Sequence, residues 1–136
     1  VDVNFAFLCD AAELGQHGKI SALGIGIQNF YIADLDQPGP PFVFVCHLAG
    51  SSTEVGTKKA AVHLIDADGN ELVPPMQCEL NVAKPNAGNR WGTGLLMQYN
   101  GVKYPRYGAY AVSMVVDGHE LVNLPFTVAP PPSRTA

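Results

Sequence analysis

Charge is what this sequence has least of. Charged residues fill 15% of its 136 positions, against about a quarter in an ordinary globular domain. The eight basic residues are scattered, Lys58-Lys59 being the only adjacent pair, and the net charge is −4. A surface that tracks phosphates needs clustered Lys and Arg, so nucleic acid is excluded as a partner. No apolar run approaches the roughly eighteen residues that a membrane span requires. No basic segment precedes the first apolar stretch, which Asp2 and Asn4 interrupt, so no secretory leader is read. Cysteine is sparse: three residues, an odd number, with no CxxC spacing. That pattern predicts reduced thiols in a cytoplasmic protein. Long amphipathic helical periodicity is missing as well, which leaves the β class.

What is present reads as strands and turns. Tyr104 to Val128 is the clearest stretch. Tyr110, Val112, Met114 and Val116 alternate with smaller residues at the period of two of a half-buried strand. Asp117-Gly118 can take the positive φ angles of a tight hairpin. Val122, Leu124, Phe126 and Val128 then return on one face. Pro125 lacks the N–H for a ladder, which predicts an edge strand or a bulge there. Before the hairpin, Pro105 and Gly108 make a turn that Tyr107 and Tyr110 pin at a corner.

Upstream, Val3–Asp10 reads as a strand with Val3, Phe5, Phe7 and Cys9 on its core face. Ala11–Gly18 reads as a turn or one short helical turn. Lys19–Gln28 reads as a strand burying Leu23, Ile25 and Ile27, its other face being Ala22, Gly24 and Gly26. Asn29–Pro41 reads as a loop. Phe42–Ala49 is apolar on both faces, as a central strand should be. Lys58–Asp66, Met76–Ala83 and Trp91–Tyr99 complete the strands, with turns at 66–70 and Asn100-Gly101 and a break at Pro74-Pro75. These elements predict an all-β, single-domain β-sandwich of the immunoglobulin-like or Greek-key kind, about seven to nine strands over residues 1–128. A small closed barrel is the alternative. Residues 129–136 are expected to fray as a Pro-rich tail.

Four segments, VNFAFLCDAAEL, KISALGIGIQNF, HLIDADGNEL and YGAYAVSMVVDGHELVNLPFTV, resemble a family of small bacterial proteins known only as a domain of unknown function. The resemblance covers most of the chain and implies a compact β-sandwich with no catalytic residues to carry over. The Pro-Phe-x-Val ending is similar to that of sandwich modules in extracellular adhesion arrays, which are longer, multidomain and exported.

Candidate chemistry is thin. Cys9, Cys46 and Cys78 sit on apolar phases, where burial raises a thiol's pKa and keeps it inert. His47 and His63 could meet on neighbouring strands, but Cys46 and His47 are sequential and face opposite ways, so they cannot share one ion. Asp66, Asp68, Asn70 and Glu71 fall short of a calcium loop and suit an Asp-Gly turn. Ser21, Ser51, Ser52, Ser113 and Ser133 lie outside any G-x-S-x-G elbow. Neither a cofactor nor a metal is expected.

The expectation is a non-enzymatic interaction or structural module that self-associates within a larger assembly. Leu8, Ala22, Gly24, Gly26, Val43 and Val45 are expected to form a flat apolar patch, unless the loop 29–41 folds over it. Arg90 and Trp91, with Asn86 and Asn89, or the edge at Pro125, would select the partner. The alternative is a small-ligand or carbohydrate-binding module stacking on Trp91, Tyr99 and Tyr104; a hydrolase with a loop-built site is a weaker one.

Overall fold

The computed structural model describes residues 1–83 and 88–132. Ten strands run through them: β1 (Asp2–Cys9), β2 (Ala11–Leu14), β3 (Ile20–Leu23), β4 (Asn29–Tyr31), β5 (Phe42–Ser51), β6 (Gly56–Asp66), β7 (Met76–Val82), β8 (Arg90–Tyr99), β9 (Gly108–Val116) and β10 (His119–Ala129). The protein is an all-β sandwich. A three-stranded sheet ordered β1-β5-β8 packs on a five-stranded one ordered β4-β10-β9-β6-β7, and β2 and β3 form a separate hairpin. Pairing is antiparallel throughout, except where β4 joins β10 in parallel. The strands beyond the expected number, β2 and β4, hold only four and three residues. Strands that short show no period of two.

The core follows from the alternation of β5. Phe42, Phe44, Cys46 and Leu48 point between the sheets, where they join Val62 and Leu64 of β6 and Tyr110, Val112 and Met114 of β9. Val43 and Val45 point the other way and, with Cys9, form a second small core. An aromatic cluster closes one end: Phe42 stacks on Tyr99 at 4.9 Å, and Phe126 meets Phe30 at 5.3 Å and Tyr110 at 5.9 Å.

The turns behave as their residues dictate. Asp117 (φ 48°) and Gly118 (φ 82°) make the β9–β10 turn with the two positive φ angles of a tight hairpin. The Asp117 carboxylate also accepts the Lys59 N–H at 3.0 Å, tying that turn to β6. The corner forms as expected: Tyr110 Oη donates to Arg106 O at 2.6 Å, and Tyr107 Oη to Ile32 O at 2.7 Å.

Several expectations are corrected. In β1 the register shifts between Val3 and Phe5. This bulge moves Phe5, Phe7 and Cys9 to the outer face and sends Ala6 and Leu8 to the main core. β3 stops at Leu23, because Gly24 (φ 70°) and Gly26 (φ 100°) leave the extended region. Leu23 and Ile25, expected inside, are exposed. A side chain at position 24 would lie 2.1 Å from the Asp10 carboxylate, which is why glycine stands there. The loop 29–41 contains β4 and places Phe30 and Ile32 in the main core, not over an outer patch. Asn100-Gly101 turns the chain from one sheet to the other and makes no hairpin. Ala129 belongs to β10, and residues 133–136 of the expected tail lie outside the described residues. Pro125 is exposed opposite Ala111, on the part of β10 that β4 does not reach, so the edge position holds.

Leu64 has no exposed surface and lies between the two sheets. Leu64→Ala should lower stability by about 2–5 kcal/mol. Urea unfolding followed by Trp91 fluorescence measures it, and a loss under about 1 kcal/mol would mean that the facing sheet can collapse into the space.

Candidate interaction site

The outer face of the three-stranded sheet is only half covered, and strand length is the reason. Four residues per strand let the β2–β3 hairpin reach about 13 Å, while the ten residues of β5 run about 33 Å. Ala12, Ile20 and Ala22 of the hairpin, with Phe7 and Leu96 of the sheet, close over Cys9, Val43 and Val45. Among the described residues, no second layer covers the end bearing His47. There the Phe5 ring, 41% exposed, stacks on His47 at 5.2 Å with 22° between planes. The Asn4 side-chain amide donates to His47 Nδ1 at 2.9 Å and holds the imidazole in place. Gly92 lets the imidazole lie against β8, since a Cβ there would come within 2.9 Å of the ring. Leu14, 57% exposed, leans over Gly94 from the hairpin tip. The result is a platform of flat rings and apolar side chains beside the β8 edge.

That edge is also open. Among the described residues β8 pairs with β5 alone, in unbroken register from Arg90 to Tyr99. The other long edges carry obstructions. β1 is bulged, and Leu8 O on its outer side accepts N–H groups of Gly26 and Ile27. β10 has Pro125 and a register shift between Glu120 and Val122. β7 has a carboxylate, Glu79, at its centre. From Trp91 to Tyr99 there is neither charge nor proline.

The residues singled out from sequence scatter. Leu8 is buried between the sheets, and Val43 and Val45 are buried beneath the hairpin, so the expected flat patch is interior. Ala22 faces it from the hairpin, and Gly24 and Gly26 lie exposed in the turn that follows. Trp91 is a core residue, 6% exposed, packed where a Cβ on Gly50 would lie 2.5 Å from its ring. Tyr99 and Tyr104 are buried too, so none of the three offers a stacking surface. Arg90 is exposed and paired with Asp2 at 2.8 Å, and Pro125 is exposed on the opposite sheet. Asn86 lies outside the described residues. Phe5 and Leu14 were missed because a bulge and a four-residue strand, neither visible as a period, decide which way they face.

Other constellations resolve into local structure. Cys46 and His47 do face opposite ways, but His63 belongs to the other sheet and pairs with Glu71. Ser113 lies directly across from His63, yet its hydroxyl donates to Glu120 at 2.8 Å, so it is not presented as a nucleophile. The Asp66 carboxylate accepts the N–H groups of Asp68 and Asn70, both at 2.9 Å, which is turn chemistry. Those bonds, with Arg106 at 3.4 Å, hold its pKa below the ordinary value. Among the described residues no group of His, Cys, Asp and Glu is arranged to hold a metal. No helix there is long and apolar enough to cross a membrane. All three cysteines are free thiols, and burial pushes Cys46 up to about 12. On the outer face of the five-stranded sheet, Lys59, Ala61, Gln77, Glu79, Val115 and Asp117 line an open groove of about 750 Å³.

Two measurements check these readings. Because the Asp66 carboxylate titrates lower when folded, its stabilisation is present above the unfolded value of about 3.9. It is lost as pH falls through the folded pKa. Asp66→Asn should therefore be less stable than the parent at pH 7, and the two urea midpoints should converge at the acid end. A gap independent of pH would assign the loss to geometry. With a thiol reagent at pH 8, Cys9 and Cys46 should stay silent until the protein is unfolded; rapid modification of either would mean that the core opens locally.

No curated protein matches the chain. A family model covers residues 4–129, nearly its whole length. The chain thus belongs to that family, a family of unknown function (DUF6941).

Proposed function

We propose that this protein works by protein–protein contact, as a self-associating interaction or structural module rather than as an enzyme. One observation carries the reading. The outer face of β1-β5-β8 leaves Phe5 and Leu14 exposed and His47 half-covered, on a sheet whose β8 edge has no charge, bulge or proline from Trp91 to Tyr99. Apolar and aromatic surface of this kind gains free energy when a partner removes it from water. An unprotected edge offers backbone groups that a partner strand can satisfy. The low overall charge limits repulsion between copies. Three free thiols accord with a reducing, cytoplasmic setting.

A second reading rests on the groove beside Lys59 and Glu79. Its size is within the range of small-molecule sites, and its mixed polar and apolar lining suits a zwitterionic ligand. This moves the ligand-binding alternative from the buried Trp91 to the other sheet.

Solution mass across a dilution series tests the first reading. A species heavier than the 14.5 kDa chain is expected. Phe5→Asp with Leu14→Asp, both at exposed positions, should dissociate it while leaving the thermal midpoint nearly unchanged. A monomer at every concentration would sink self-association. An assembly indifferent to both substitutions would place the contact elsewhere.

A further inference from the structure

The β8 edge carries enough detail to name its occupant. In an antiparallel ladder, successive residues turn their N–H and C=O groups alternately to one neighbour and the other. Leu8 O accepts from Gly26 and Ile27, so Leu8 turns away from β5. Its neighbours Phe7 and Cys9 therefore bond to Val45 and Val43. It follows that Phe44, Cys46, Leu48 and Gly50 of β5 turn toward β8, and bond to Met97, Leu95, Thr93 and Trp91. The residues left turning to the open edge are Arg90, Gly92, Gly94, Leu96 and Gln98, with the Arg90 side chain held by Asp2.

We infer that a second copy of this chain pairs there, β8 antiparallel to β8, with the two-fold axis at Leu95. This rests on the self-association reading and specifies its contact. The register is set by the outward groups together with their side chains. Centring on Leu95 places Gly94 opposite the partner's Leu96 and Gly92 opposite the partner's Gln98. The outward residues from Gly92 to Gln98 of each copy are then used, giving about eight inter-chain hydrogen bonds. Centring on Leu96 leaves Gly92 without a partner in β8, and centring on Gly94 sets glycine against glycine. Side chains agree with the register: each glycine meets a long residue on the same face, so bulk fills the gap that its absence leaves. No charge lies between Trp91 and Tyr99, so a charge never meets its own copy. The β7 edge behaves oppositely, since symmetric pairing about its centre would set Glu79 against Glu79. Leu14, leaning over Gly94, lies beside the added strand and is covered with it. The product is a continuous six-stranded sheet across the two copies.

The test is a distance and a substitution on the whole chain. With Gln98→Cys in a Cys78→Ser background, spin labels at the two 98 positions should lie about 20 Å apart, six residues of strand. Gln98→Pro removes an N–H that faces the open edge and none that bonds to β5. It should raise the dimer dissociation constant at least tenfold with unchanged far-ultraviolet dichroism. Thr93→Pro, which removes a bond to β5, should instead destabilise the monomer, and so checks the assigned alternation. A dimer lacking the 20 Å distance and insensitive to Gln98→Pro would overturn β8 pairing and leave the interaction reading standing. A monomer at all concentrations would overturn both.

Discussion

Everything in this molecule is arranged around the need to cover β5 twice. Its alternate side chains are apolar on both faces, and water can be kept from both only if two separate layers reach it. The five-stranded sheet supplies one layer, burying Phe42, Phe44, Cys46 and Leu48. The β2–β3 hairpin supplies the other over Val43 and Val45. At about 25 cal/mol per Å² of apolar area removed from water, neither face could be left open without a serious cost to stability. The hairpin is too short to complete its layer, and the unfinished part is the surface proposed for contact.

The two faces of the sandwich accordingly have different characters. The outer face of the five-stranded sheet mixes small, apolar and polar side chains, with Lys59, Ala61, Gln77 and Val115 around its groove. Its polar side chains pair among themselves, as in His63 with Glu71 and Ser113 with Glu120. The outer face of the three-stranded sheet presents aromatic rings and glycines. Gly92 and Gly94 matter there twice. They make room for His47 and Ile20 above the sheet, and in the proposed pairing they leave the gaps that the partner's Gln98 and Leu96 fill.

Much of the fold is legible in the sequence. The β9–β10 hairpin, its Asp117-Gly118 turn, the tyrosine corner and the double burial of β5 all follow from local patterns, because alternation and positive φ are properties of a few adjacent residues. The candidate site is far less legible. Phe5 changes face because of a bulge that depends on the pairing with β5. Val43 and Val45 look like a surface until the hairpin that lies over them is known. Trp91 looks like an anchor until Gly50 is seen to provide its seat. Each of these outcomes turns on a neighbour distant in sequence.

By itself, then, the sequence determined an all-β chain, the phases of its long strands and the chemistry of its turns, since these rest on period, propensity and φ preference within a few residues. It also determined that the stretch from Trp91 to Tyr99 has no charge and no proline. Only the tertiary structure decided that this stretch is an edge among the described residues, which of its backbone groups face outward, and that half of the neighbouring face lacks cover from them. Sheet order and layer contact are set by long-range packing, and no local pattern encodes which strand is left without a neighbour.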